Sequence, residues 1–210
     1  MSRSAVRPIV VALALALAAA TVSTGEVTLH EPTTNSWAPV VWLSPGFPIV
    51  SGSSSVLRRT SDVATMHIAS SGFAPDTVVT AWWVVFNYPL NCTHPNTATN
   101  SLCGGPDIAN PATGTTYQWA DGQVVHEEGE VALKASLAVG DSTHCASAAL
   151  PCVGLLDVGG AEYHIALRSM GPIVPSLLSA QLTTLNGGCQ PGEPNAGRCA
   201  NVQGAAHLGR

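Results

Sequence analysis

The stretch TVVTAWWVVFN, residues 77–87, limits the fold more than any other part of this chain. It is β-branched and aromatic, with no Gly, Pro or charge, and so favours extended backbone. It is also apolar at odd and even positions alike. Successive strand side chains point to opposite faces, so this strand needs cover on both sides and belongs at the centre of a layered structure. Trp82 and Trp83 are therefore expected inside. Other segments have the alternation of strands with one covered face. In VALKASLAV, residues 131–139, Val131, Leu133, Ala135, Leu137 and Val139 lie on one side, and Lys134 and Ser136 on the other. AEYHIALR (161–168) alternates as well, and AQLTTLN (180–186) is a further candidate strand. In TYQWADGQVV the Asp121-Gly122 pair predicts a hairpin turn, and HEEGE (126–130) supplies the next one. Short strands broken by Gly, Pro, Asn and Asp, with no useful helical period, predict an all-β fold. The expected form is a single antiparallel β-sandwich, immunoglobulin-like or jelly-roll-like, stapled by disulfides.

The beginning of the chain follows different rules. Arg3 and Arg7 precede an apolar run of 12 residues, Ile9 to Ala20, followed by small and polar residues. That is the layout of a secretory signal peptide, expected over residues 1–24. As a helix the run rises about 18 Å, too short for a hydrocarbon core of roughly 30 Å. Residues 25–55 carry Pro32, Pro39, Pro45 and Pro48 and end in a Gly/Ser tract. They are expected to form an extension, part of which lies against the main domain because it holds Trp37, Trp42 and Phe47. The sandwich is expected over residues 56–208.

Export decides how the 6 cysteines are read. An even number in an oxidising compartment argues for disulfides. Six cysteines allow 15 pairings. Spacing favours Cys92 with Cys103, Cys145 with Cys152 and Cys189 with Cys199, because short loops cost little entropy to close. A zinc turn built on Cys92, His94 and Cys103 is the minor alternative. Charged residues are only 10% of the chain and the net charge is −5, with Lys134 the single lysine. No basic stripe offers itself to nucleic acid, and no later run is long enough to span a membrane.

The chemistry that stands out lies in AEYHIALR. Tyr163, Ile165 and Leu167 form an apolar row. Glu162, His164, Ala166 and Arg168 form the opposite row, with Asp157 just ahead. Glu162 and His164 should lie about 7 Å apart along the strand, close enough to share a ligand. The ordinary expectation is a wet sheet face that alternates polar residues outward. The sharper one is a site. His67, between Met66 and Ile68, is expected to face the same layer as His164. The set His67, Glu162, His164 and Asp157 would then hold a single Cu or Zn ion, with Arg168 as a further surface candidate. No H-E-x-x-H signature, G-x-S-x-G elbow or Gly-rich nucleotide loop is present, and no catalytic residue is assigned. Asn91 opens an N-C-T sequon whose Cys92 is expected in a bridge.

The combination AWWVVFNYPLNC, CGGPD, GLLDVGGAEYHIALRSMGP and LTTLNGGC resembles a group of exported bacterial proteins with no activity attached to them. The resemblance covers residues 56–207 and implies a bacterial source and a shared structural plan. It also implies a histidine where this chain has Met170, which takes one ligand from a metal set. The expected function is that of an exported, non-catalytic β-sandwich. Its role would be binding or structural, toward an extracellular ligand or surface component, without a cofactor. The alternative is a small Cu or Zn protein with redox or hydrolytic chemistry.

Overall fold

The computed structural model describes residues 33–209 apart from Ala98. The expected signal peptide and the first residues of the expected extension lie outside the described residues. Two sheets face each other. The first has four strands in the order β1-β3-β4-β7, with β1 Thr34–Ala38, β3 Ser54–Arg59, β4 Val63–Ser70 and β7 Val131–Ala138. The second has five in the order β2-β9-β8-β5-β6, with β2 Val41–Trp42, β5 Thr77–Phe86, β6 Thr115–Val124, β8 Glu162–Pro172 and β9 Ala200–His207. All strand pairs within the sheets are antiparallel. The chain is an all-β sandwich, as its alternation predicts.

The interior follows from that alternation. Leu57, Met66, Ile68, Leu133 and Leu137 of the first sheet meet Val79, Trp83, Val85, Tyr163, Ile165 and Leu167 of the second. Trp83 packs edge-on to Tyr163 with ring centroids 6.1 Å apart. β5 lies between β8 and β6 and is buried along its whole length. Its second face is covered by loops. Trp82, Val84 and Phe86 join Tyr117, Ala166 and Cys103 in a separate apolar cluster on the outside of the second sheet. Burying a side chain such as Phe86 there stabilises by roughly 1.5–3 kcal/mol.

Three expectations need correction. The sandwich begins at Thr34, ahead of residue 56, because β1 pairs with β3 and β2 with β9. Asp121 and Gly122 form no turn. β6 runs straight through them, neither residue has a positive φ, and a Cβ on Gly122 would lie 2.4 Å from the Leu182 carbonyl oxygen. The glycine serves close approach, while the Asp121 carboxylate accepts the N–H groups of Gly122 and Lys134. Residues within AQLTTLN form a short helix, α1 Leu178–Thr183. Its buried Gln181 donates to the carbonyls of Met170 and Pro172 and accepts the Val174 N–H. The last strand is β9, for which sequence reasoning gave no expectation.

The three disulfides join neighbours: Cys92–Cys103, Cys145–Cys152 and Cys189–Cys199. Each holds a loop over the outside or the edge of the second sheet. Thr116 and Gln118 of β6 bridge to Cys152 and Cys145, and Ala146 and Leu150 pack into the outer cluster. Among the described residues no helix is long and apolar enough to cross a membrane.

Candidate functional site

β8 sorts its side chains as the two-residue period requires. Tyr163, Ile165 and Leu167 enter the sandwich, and Glu162, His164, Ala166 and Arg168 face the other way. That outer row is not wet, which corrects the solvent-face expectation. The segment closed by Cys92–Cys103 folds over it and leaves Glu162 with no exposed surface. Glu162 Oε2 accepts the Leu102 N–H at 2.9 Å, and Oε1 accepts the Cys103 N–H at 3.0 Å. His164 Nε2 lies 2.8 Å from the same Oε1. Two backbone donors and a ring nitrogen thus satisfy a carboxylate that would be costly to bury alone. Because the carboxylate accepts, Nε2 carries the proton, and a neutral ring keeps its lone pair on Nδ1. Phe86 meets the imidazole edge-on at 5.2 Å.

His164 keeps 21% of its side chain exposed, and it opens into a cleft of about 340 Å³. Leu43, Phe47 and Ile108 give the cleft apolar walls, and Asn96, Thr99 and Asn201 supply polar groups. Phe47 has φ +45°, in the left-handed region that bulky residues avoid. Its N–H closes a turn on the Ser44 carbonyl at 3.0 Å. No hydroxyl or thiol is hydrogen-bonded to His164 among the described residues, and no described cysteine is free. The arrangement can therefore accept a hydrogen bond or a proton at Nδ1.

The other expected site residues lie elsewhere. His67 is exposed on β4, with Met66 and Ile68 beside it buried in the interior, so it faces outward from the first sheet. It sits on the opposite side of the sandwich from His164, and the expectation of a shared layer is corrected. Alternation tells which side of its own strand a residue faces and nothing about which sheet holds the strand. Asp157 is exposed and shapes the turn before β8, accepting the Gly159 N–H at 2.9 Å. Arg168 is committed to structure: Nε donates to the Leu185 carbonyl, and the two terminal nitrogens to Asn201, Asn186 and the Cys199 carbonyl. Of the four proposed metal ligands, only Glu162 and His164 meet. Among the described residues no group of three or more His, Cys, Asp or Glu could hold an ion.

Sequence reasoning noted Asp107 and His207 as candidates but assigned neither a role, and both are polar centres. Asp107 is buried beneath the Cys92–Cys103 loop and accepts from Thr93, from the backbone and ring of His94, and from the Gly104 N–H. Burial alone would push its carboxyl up; the hydrogen bonds from Thr93, Gly104 and His94 outweigh this and hold it near 2. It fixes the loop that covers Glu162. His207 on β9 is buried between Ser55 Oγ, 2.8 Å from Nε2, and Ser36 Oγ, 3.0 Å from Nδ1. Burial, then the Arg59 guanidinium, then His164, push its imidazole down to about 4. The Cys92-x-His94 turn that meets Asp107 lies 13 residues before it, and the serine partners of His207 are more than 150 residues away, so neither environment has a local signature.

Comparison of the chain with known protein families, with curated proteins and with solved structures gives no match.

Proposed function

We propose that this chain is an exported, non-catalytic binding protein whose ligand occupies the cleft above His164. The observation that carries the proposal is the fully buried Glu162 holding His164 by Nε2 on the floor of an apolar cleft. Apolar walls with a few fixed polar groups are the usual makeup of small-ligand sites. The matching ligand is a small, largely apolar molecule with one hydroxyl or N–H to donate to Nδ1. Export is supported by the leader pattern and the three disulfides, which suit an oxidising compartment. The motif resemblance to exported bacterial proteins points the same way. The alternative, a Cu or Zn ion on Glu162 and His164, has less support. Both Glu162 oxygens already accept backbone N–H groups that a metal would have to displace.

The test is titration of the full chain with a panel of phenols and aliphatic alcohols, and separately with Cu²⁺ and Zn²⁺, following the ¹⁵N signals of the His164 ring. The expected result is saturable binding of at least one phenol that shifts Nδ1 and weakens by about tenfold or more in His164→Ala. Stoichiometric metal binding at His164 would replace this reading with the metalloprotein one. Signals that nothing moves would end the assignment of the cleft as a binding site.

A further inference from the structure

The outward face of the first sheet carries a second set of groups, independent of the cleft. The register aligns Trp37, Val56, His67 and Lys134 side by side across β1, β3, β4 and β7. At roughly 4.8 Å per strand, this row spans about 14 Å. The neighbouring row is Asn35, Arg58, Thr65 and Ser136. Trp37 is 74% exposed, unusual for the largest apolar side chain. Among the described residues, no hydrogen bond or ion pair engages the Arg58, His67 or Lys134 side chains. Two of the five described Lys and Arg residues thus share one face of a chain whose net charge is −5. Asp62, Glu127, Glu128 and Glu130 lie outside β3, β4 and β7, in the connections at their ends, and the Asp121 carboxylate accepts the Lys134 backbone N–H at the edge of β7.

We infer that this face binds an acidic polysaccharide. The indole offers a flat apolar platform for the C–H face of a sugar ring. Arg58 and Lys134 are donors only, as is the indole N–H, so the partner must be rich in acceptors. Carboxylates on the sugars meet that need through charge-assisted hydrogen bonds. A neutral glycan would leave both cations without a counter-charge. A flat row open at both ends suits a polymer better than a small molecule.

The probe is polygalacturonate, measured against the full chain by affinity electrophoresis and calorimetry. Fully methyl-esterified polygalacturonate, duplex DNA and phosphatidylglycerol vesicles form the comparison arms. The expected result is binding to polygalacturonate that weakens with salt and falls at least tenfold on the esterified polymer. Trp37→Ala and the double variant Arg58→Ala/Lys134→Ala are each expected to lose about tenfold, with the urea unfolding midpoint unchanged because all three residues are exposed. No binding to polygalacturonate would overturn the inference. So would binding indifferent to Trp37→Ala, equal binding to DNA or vesicles, or a dimer in solution that Trp37→Ala dissolves.

Discussion

The outsides of the two sheets are built from the same alternating pattern and end in opposite conditions. Every second residue of β4 and β7 faces away from the interior, as does every second residue of β8. On the first sheet those positions are exposed or half-buried, and His67 and Lys134 are among the exposed ones. On the second, Glu162 and Ala166 are buried beneath chain held by disulfides. The difference comes from the connections: long loops with cysteines return over one sheet only. A polar residue on the bare face is solvated at no cost. One on the covered face must find partners inside the protein, and Glu162 does so with two backbone N–H groups and an imidazole.

Three measurements can break or sharpen that contrast. The largest effect is expected at Glu162. Glu162→Ala strands the Leu102 and Cys103 N–H groups and the His164 ring, and should cost about 3–5 kcal/mol in urea unfolding. A loss below about 1 kcal/mol would mean that the cover does not close as described. Next is the response to acid. His207 joins β9 of one sheet to β1 and β3 of the other. Its folded pKa of about 4 lies below the ordinary 6.5, so the unfolded chain takes the proton first. Stability is then complete above pH 6.5 and falls by about 3 kcal/mol as pH drops through 4. Asp107, held near 2 against 3.8, adds a later loss of about 2 kcal/mol between those two values. The junction between sheets should therefore weaken at milder acidity than the cover, and His207→Gln should remove the first step alone. The smallest effect belongs to the bare face: His67→Ala should stay within about 0.5 kcal/mol of the parent in the same urea series.

Much of the fold was legible because its signals are local. The doubly apolar run became β5, the alternation in residues 131–139 became β7, and short spacing paired the cysteines as neighbours. The errors share a cause. Asp121-Gly122 has turn composition, yet the space beside Gly122 is filled by the Leu182 carbonyl, some 60 residues on. Residues 180–186 suit a strand by composition, but Gln181 fastens them as a helix against the end of β8. The site was half legible. Residue spacing put Glu162 and His164 on one face of a strand, but their burial depends on the loop at residues 92–103. His67 fitted the pattern of a partner while belonging to the other sheet. Local periodicity encodes a side of a strand; only tertiary pairing encodes which strands and loops share that side.

The Asp121 carboxylate on the Lys134 N–H has a companion in Gln123, whose Oε1 accepts the Ala132 N–H. These side chains stitch β6 to β7, the outermost strands of the two sheets. The far margin of β6 is meanwhile taken by the Cys145–Cys152 loop, through Tyr117 N–H to the Pro151 carbonyl and Trp119 N–H to the His144 carbonyl. A foreign chain that arrives at this flank meets occupied amides instead of a template for growth, so amyloid-like stacking is denied a starting point on that flank.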